Sequence, residues 1–393
     1  EVVKKLFKAT MVKVVRSVDA MALKQKQVLK KDRETREQQL LLRTQSEQEG
    51  EEGEEREGES KSTTKEEEEL TIEQVYRLHM KKYLFKMLDI KSSTHHYASS
   101  LASDKSAAKK RKKKLKKDLK QLKKDLPLEF GSSIFVRVDK TKPHLMQCLI
   151  TGPGDTPYDS GCFQFDVYCP TTFPGGPPKV NLQTTGAGQV RFNPNLYNCG
   201  KVCLSLLGTW QGGAHGKENW DAKVSTLWQV FVSIQGQILG STYPYFNEPS
   251  IEAQWGTTQG KASARTAKNG GYERLRVASI RHAMIGQLKN PSVGFEEVIQ
   301  NHFLLKGNYI CTQIEGWIEE ADSSPTNGHK STLVKLLGEL KIELAKTPFS
   351  MEQINERKKI PSHILTQKKQ SFQITNQNKR RTLKKNKRKK TLA

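Results

Sequence analysis

One asparagine and one cysteine, Asn195 and Cys203, lie eight positions apart in a polar stretch that contains Gly200. A cysteine thiolate is a strong nucleophile near neutral pH. A side-chain amide close to it can donate a hydrogen bond to an oxyanion as that charge forms. These two residue types at this separation therefore predict acyl transfer through a thioester on Cys203.

The stretch that holds them, FNPNLYNCGKVCL at positions 192–204, resembles the active-site signature of ubiquitin-conjugating enzymes (E2s). That signature has a His-Pro-Asn triplet, then a glycine, then the thioester cysteine followed by leucine. Here the triplet is Asn-Pro-Asn, so an asparagine replaces the usual histidine. The resemblance implies that Cys203 accepts ubiquitin from an activating enzyme (E1). It also implies that ATP is used by E1 and that this chain binds no cofactor.

Asn195 matches the asparagine of the family triplet, and two roles for it remain open. It either donates a hydrogen bond to the oxyanion or braces the active-site loop. The resemblance also implies structural roles for five residues of the site: Asn193, Pro194, Gly200, Leu204 and Trp220. Asn193 can bond its own backbone in a turn, so we expect its replacement of histidine to leave the chemistry intact.

An incoming lysine must lose a proton, and E2s often place an acidic or polar residue on the rim of the cleft. Glu248 is the first candidate for this role, ahead of Asn247 and Asp221. A solvated loop position is the alternative for each of the three. Cys199 lies close to Cys203 in sequence; we expect it to be inert, and the alternative is a disulfide between the two under oxidation.

The resemblance to the E2 core covers roughly residues 128–249. A narrower resemblance, to the giant E2/E3 hybrid enzymes of the BRUCE (Apollon) type, covers roughly residues 71–348. It rests on FNPNLY, GKVCL and PYFNEP, and on flanking residues that include His95 and Trp317. Those relatives carry an inhibitor-of-apoptosis zinc domain, but this sequence has no Cys-x-x-Cys with a downstream His and Cys. We therefore expect neither a metal site nor an anti-apoptotic role.

Two departures from the family pattern weaken the expectation of docking to RING ligases. The family usually follows its tryptophan with Ser-Pro-Ala, whereas Asp-Ala-Lys follows Trp220. The loop FPGG at 173–176 lacks the bulky apolar residue that many E2s present to RING partners after the first proline. Both departures suit an enzyme that selects substrates through its own additional segments. The insertion at 208–219 enlarges one wall of the cleft, as it does in the hybrid group.

The order of predicted elements indicates an α+β fold. The resemblance implies that it is the UBC fold, with an N-terminal helix, a four-stranded antiparallel meander sheet, the active-site loop and C-terminal helices. Strand-like runs separated by turn residues predict the meander at 133–139, 145–150, 162–168 and 179–184.

A strongly basic segment, 107–126, is predicted to be the first helix of the core. Its leucines repeat at helical spacing, which places them on one face and most of the lysines on the other. The basic face, with Lys113, Lys114 and Lys117, is either the surface that docks E1 or a solvated coat on a packed helix.

The composition predicts a folded middle flanked by polar arms. Over 393 residues the hydrophobic content is 35% and the mean hydropathy is −0.69, too polar for one core along the whole length. The net charge of +24 favours acidic partners: nucleic acid, an anionic membrane or an acidic protein surface. Because the charge is concentrated in runs, it gives more information about the polar arms than about the folded middle.

Composition shifts divide the chain into seven segments. They are a charged helical arm (1–46), an acidic disordered linker (47–70), a helical N-terminal extension (71–106), the UBC catalytic core (107–250), a flexible loop (251–270), a C-terminal helical extension (271–346) and a basic disordered tail (347–393). The sequence begins at Glu1 rather than at Met, which indicates either a fragment or an incomplete gene model.

The sequence also indicates a cellular compartment. It has no run of about 18 apolar residues that would span a membrane, and its six cysteines show no disulfide-framework spacing. A reducing compartment fits best: the cytoplasm, or the nucleus if the basic cluster at 379–390 is a localisation signal.

The expected partners are ubiquitin, E1 and substrate proteins, and two other functions remain as alternatives. One is a non-catalytic E2-like scaffold, which would normally have lost the cysteine that is present here. The other is a basic nucleic-acid-associated protein that binds through its tail, although the basic runs lack interleaved aromatic residues and a recognition motif.

Overall fold

The structure is a computed structural model, and it describes residues 70–104, 109–209, 219–248, 251, 254–267, 271–322 and 328–346. The predicted arm at 1–46 and the predicted tail at 347–393 lie outside these residues. So does the acidic linker, except for Leu70, and so does most of the predicted insertion at 208–219.

Five strands form one mixed sheet in the chain order β1-β2-β3-β4-β5. The strands are β1 (Phe85–Leu88), β2 (Ile134–Asp139), β3 (Leu145–Thr151), β4 (Cys162–Tyr168) and β5 (Lys179–Leu182). The pairs from β2 to β5 are antiparallel and form the predicted meander, whereas β1 lies parallel to β2. The fold is therefore α+β, as the sequence predicts.

The strand β1 was not predicted, and it corrects both the strand number and the helical assignment of the extension at 71–106. The apolar spacing there continues at helical intervals beyond Met80, but the first helix ends at that residue. Beyond it, the amide of Val136 donates to the carbonyl of Leu84, and Phe85 and Leu88 pair with β2. Without β1, the edge of β2 would present unpaired backbone N–H and C=O groups. Pairing with β2 therefore outweighs the local helical pattern.

The helices surround this sheet. They are α1 (Ile72–Met80), α2 (Ala98–Ala102), α3 (Lys109–Asp125), α4 (Leu227–Ser233), α5 (Thr258–Thr266), α6 (Tyr272–Ala278), α7 (Gly286–Lys289), α8 (Glu296–Asp322) and α9 (Gly328–Ala345). A π-helical stretch, Ile234–Ile238, continues α4, and another, Ser279–Ile285, joins α6 to α7. None of the helices in the described ranges is long and apolar enough to cross a membrane.

The helix α5 corrects the prediction of a flexible loop at 251–270. The side chain of Thr257 accepts a hydrogen bond from the amide of Gly260 and so caps the start of this helix. Ala264 is buried on its inner face. The glycines and threonines of the segment favoured a loop, but threonine at an N-cap stabilises a helix.

Both faces of the sheet are covered by helices. One core lies between the sheet and the helices α3 and α4. A second core lies on the other face, where Phe135, Leu149 and Cys162 pack with residues of α1, α8 and α9. The N-terminal and C-terminal extensions are therefore part of one fold with the sheet.

Arg137 on β2 joins the sheet to both extensions. Its guanidinium donates to the carbonyl of Tyr83 at 2.9 Å and to the carbonyl of Gly294 at 2.6 Å. It also lies over the Phe295 ring, 4.7 Å from the centroid. A buried cation needs such partners, so this arginine fixes the two extensions relative to the sheet.

One face of α8 carries four polar side chains at helical spacing, and all four face the turn before β4: His302, Lys306, Tyr309 and Gln313. Asp159 in that turn is fully buried and accepts hydrogen bonds from Tyr309, at 2.8 Å, and from Gln313. The ammonium of Lys306 lies 3.8 Å from the Asp159 carboxylate. This buried network fixes the position of α8.

The ring of His302 is held in its neutral form in this network. Its Nε2 donates to the carbonyl of Ser160 at 3.0 Å, since a carbonyl can only accept, and its Nδ1 accepts from the Tyr76 hydroxyl at 2.8 Å. Burial lowers the pKa of His302 to about 3, and the nearby Lys306 charge acts in the same direction.

We predict that His302 makes the fold acid-sensitive. The unfolded chain takes up a proton below its ordinary pKa of about 6.5, while the folded ring stays neutral until about pH 3. The stability is therefore fully present above about pH 6.5 and is lost as the pH falls, by up to about 1.4 kcal/mol per pH unit. In urea titrations, His302→Gln should show a shallower decline than the wild type. Parallel declines would show that His302 does not carry this dependence.

Candidate active site

Asn195 and Cys203 face each other across a narrow antiparallel loop. The Cys203 amide donates to the Asn195 carbonyl at 2.8 Å, and the Asn195 side-chain Nδ2 donates to the Cys203 carbonyl at 2.9 Å. Between them, Leu196 and Val202 form a β-bridge and are buried in the core. In its resting state one N–H of the Asn195 amide thus braces the backbone of Cys203, and the second N–H is not required for that bond.

Gly200 forms the turn of this loop in a conformation that other residues rarely adopt, with φ of 83°. A Cβ atom at this position would lie 2.3 Å from Oδ1 of Asn181 and 2.4 Å from the carbonyl oxygen of Leu182. The Leu182 amide also donates to the carbonyl of Gly200 at 2.8 Å. The glycine lets the loop approach β5, which fixes its position against the sheet.

The side chain of Asn193 is fully buried, and all of its hydrogen-bonding capacity is used. Its Nδ2 donates to the Tyr158 hydroxyl and to the carbonyl of Ile238, both at 3.1 Å. Its Oδ1 accepts from the amide of Asn195 at 2.9 Å and from Nδ2 of Asn247 at 3.3 Å. These four bonds join the start of the loop to the turn before β4, to the helical stretch after α4 and to the segment at 241–248.

Cys203 is 3% exposed. Burial raises the pKa of its thiol, and the Lys201 charge, a hydrogen bond with Tyr197 and the Arg191 charge oppose that rise. The next residue, Leu204, is buried in the core. The Thr209 hydroxyl accepts from the Leu204 amide at 3.0 Å and donates to the Val202 carbonyl at 2.7 Å, so it holds the backbone on both sides of the cysteine.

Among the three predicted rim residues, Glu248 lies in the site but is paired. Its carboxylate accepts from Nη2 of Arg191 at 3.1 Å. The same Nη2 donates to the carbonyl of the buried Pro194 at 2.8 Å. Asn247 bonds Asn193, as described above. The carboxylate of Asp221 instead accepts from the amide of Lys223 at 2.7 Å, so its contact lies in the turn before α4.

Trp220 lies against the loop at 173–176, whose sequence weakens the expectation of RING docking. Its indole Nε1 donates to the carbonyl of Pro174 at 2.7 Å, and its ring centroid is 5.5 Å from that of Phe173. The two segments that depart from the family pattern therefore pack on each other. Cys199 is exposed and carries a free thiol, at the tip of the loop that ends at Cys203.

The helix α3 has the predicted apolar face, but Lys114 does not belong to its exposed basic face. The ammonium of Lys114 donates to Oδ1 of Asp118 at 2.8 Å and to the carbonyl of Ser225 at 2.6 Å. Its side chain is only 10% exposed. Because these bonds tie α3 to the start of α4, Lys114 stabilises the fold, while Lys113 and Lys117 are exposed.

Comparisons with known proteins match this core. A sequence model of the family described as "Ubiquitin-conjugating enzyme" matches residues 114–265, which include the whole Asn193–Cys203 loop. The putative ubiquitin-conjugating enzyme E2 38 of Arabidopsis thaliana is 35% identical over 251 residues, which are 61% of this chain and 72% of that protein. The chain belongs to the ubiquitin-conjugating enzyme family.

Two other relatives are matched over a smaller part of their own length. The human dual E2 ubiquitin-conjugating enzyme/E3 ubiquitin-protein ligase BIRC6 is 41% identical over 298 residues, which are 71% of this chain but 6% of BIRC6. The probable ubiquitin-conjugating enzyme protein 17 of Caenorhabditis elegans is 43% identical over 213 residues, 54% of this chain and 28% of that protein. The chain thus spans a small part of these two relatives.

Sequence reasoning missed three residues that shape this E2 site: Tyr158, Arg191 and Thr209. Tyr158 is fully buried and donates to the carbonyl of Phe192 at 2.5 Å. Tyr158 lies in a turn that is distant from the motif in the sequence, so the sequence gave no sign of this contact. Arg191 was detectable, because a cation immediately before the motif lies close to Cys203 whenever the loop folds back. Among the described residues, no cluster of His, Cys, Asp or Glu could hold a metal ion.

Proposed function

We propose that this chain is the catalytic part of a ubiquitin-conjugating enzyme and accepts ubiquitin as a thioester on Cys203. The observation that carries the proposal is the loop that pairs Asn195 with Cys203 through two hydrogen bonds inside the region of the family match. The printed names of the relatives support the same activity.

In the first step the Cys203 thiolate attacks the carbonyl carbon of the thioester between ubiquitin and E1. A new carbon–sulfur bond forms, and the E1 thiolate leaves. In the second step a lysine amine of a substrate attacks the same carbonyl, an isopeptide bond forms and the Cys203 thiolate leaves. The amine loses a proton in this step. The loop supplies the nucleophile in a fixed position, and E1 uses the ATP.

We assign E1 contact to the exposed lysines of α3, which include Lys113 and Lys117 and exclude Lys114. The positive surface attracts an acidic partner and speeds its association. The likeness to a dual E2/E3 enzyme supports a hybrid type that selects its own substrates. The helices that cover the second face of the sheet support this type, because they add surface beyond the catalytic core. The predicted binding of nucleic acid by the tail concerns residues outside those described.

We predict that Cys203→Ser abolishes the reductant-sensitive ubiquitin adduct that forms with E1, ATP and ubiquitin. The serine hydroxyl retains an attacking oxygen, so a reductant-resistant oxyester can remain. Gels with and without reductant give the result. The matched control is Cys199→Ser, which changes the other thiol of the loop and should charge normally. A reductant-sensitive adduct that survives in Cys203→Ser and disappears in Cys199→Ser would move the nucleophile to Cys199. No adduct with any variant would favour a non-catalytic scaffold.

We predict that Asn195 acts chiefly as a brace. Asn195→Ala leaves the Cys203 carbonyl without its side-chain donor, which should lower the free energy of unfolding by about 1 to 3 kcal/mol. Discharge of a pre-formed thioester to free lysine, measured per folded molecule well below the unfolding midpoint, should fall by less than about tenfold. Loss of an oxyanion donor slows acyl transfer by about 100-fold or more. A fall of that size with unchanged stability would assign the oxyanion role to Asn195.

A further inference from the structure

The loop that carries Cys203 has one face in the core and one face directed away from it. Leu196 and Val202 pair across it and are buried in the core. Side chains alternate along extended paired segments. The neighbours of these two residues therefore lie together on the opposite face: Asn195, Tyr197, Lys201 and Cys203.

Arg191 adds a second cation to this face. Its guanidinium lies over the Tyr197 ring, 4.4 Å from the centroid, and the Lys201 ammonium lies 5.5 Å from the same centroid. Bonds from Nη2 to the Pro194 carbonyl and to Glu248 hold the guanidinium in this place. Within the described structure its Nε is buried and has no hydrogen-bond partner.

The charged and titratable groups around the thiol are mostly positive. Lys201 and Arg191 lower its pKa, as does the hydrogen bond from Tyr197, while burial and the neighbouring Cys199 raise it. A carboxylate in the described part of this cluster, that of Glu248, is bound to Arg191. A buried thiol in apolar surroundings stays protonated and unreactive. Burial is the largest effect and keeps the pKa of Cys203 above its ordinary value, and these cations oppose it.

We propose that Arg191, together with Lys201 on the same Tyr197 ring, stabilises negative charge at Cys203. Two species carry that charge: the thiolate before ubiquitin is accepted, and the tetrahedral oxyanion that forms when a nucleophile attacks the thioester. The second half rests on the proposed function, and the first half does not. Glu248 is then the residue that positions Arg191, and its predicted role as the base for the incoming lysine is replaced by this one.

The test measures the thiolate directly, without ubiquitin or E1. The protein carries Cys199→Ser, so that Cys203 is the only thiol of this loop, and iodoacetamide alkylation of the Cys203 peptide is followed by mass spectrometry between about pH 6 and pH 10. Removal of a nearby opposite charge shifts a pKa by about one unit or more. Arg191→Gln should therefore raise the apparent pKa of Cys203 by about one unit, and Arg191→Lys, which keeps the charge, should shift it less.

Two further variants separate charge from folding. Lys201→Gln changes an exposed side chain and should also raise the apparent pKa, with an unchanged unfolding midpoint. Arg191→Gln combined with Glu248→Gln removes the pair together and excludes an effect of an unpaired carboxylate; it should still raise the pKa. Alkylation profiles of Arg191→Gln and Lys201→Gln that coincide with the parent protein would overturn the proposal.

The charge effect at Cys203 and the proposed function can be contradicted separately. A raised pKa in Arg191→Gln, in a protein that never forms the ubiquitin thioester, would support the charge effect and contradict the proposed function. Normal charging by E1 with unchanged alkylation profiles would leave the proposed function in place and contradict this inference.

Discussion

One buried amide, that of Asn193, holds together the parts of the structure that meet at the site. Its two donors bond the Tyr158 hydroxyl and the Ile238 carbonyl, and its oxygen accepts from Asn195 and Asn247. An amide has two donor hydrogens and two acceptor lone pairs, so this side chain is saturated. An unsatisfied buried polar group is costly, and the chain segments can meet here only in the arrangement that completes all four bonds.

The two sides of the site depend on this amide. On one side, Asn195 fixes Cys203 through two hydrogen bonds. One joins the two backbones, and the other runs from the Asn195 side-chain amide to the Cys203 carbonyl. On the other side Asn247 precedes Glu248, which in turn holds Arg191 beside the Tyr197 ring. Cys203 and Arg191 are thus both positioned through the Asn193 amide. The family histidine is absent, and an asparagine with a complete set of partners occupies its place.

The sequence predicted the parts of the fold whose signals are local. The leucine spacing of α3, the strands β2 to β5 and the loop from Asn193 to Cys203 each carry their pattern within a short segment. The strand β1 was missed because its pairing with β2 is a long-range contact, and a run of apolar residues there fits a helix equally well. The helix α5 was missed because its signal is one capping threonine among residues typical of loops.

The sequence could not predict side-chain partners that come from distant segments of the chain. Lys114 looks like its exposed neighbours in a basic run, and only the approach of Ser225 at the start of α4 turns it inward. In the sequence Glu248 looks like a free carboxylate. In the fold it pairs with Arg191, which lies far earlier in the chain. In both cases the charge was visible in the sequence, and its partner was decided by packing.

The central claim is that the Asn193 amide fixes both sides of the site at once, and hydrogen–deuterium exchange read by mass spectrometry tests it most directly. In Asn193→Ala, the peptides covering 195–204 and 241–248 should lose protection together, while the peptides of α3 keep theirs. The matched control is Asn198→Ala, an exposed asparagine of the same loop, which bonds only the Gly188 carbonyl; it should leave both regions protected. Loss of protection in only one of the two regions, or in neither, would contradict the account.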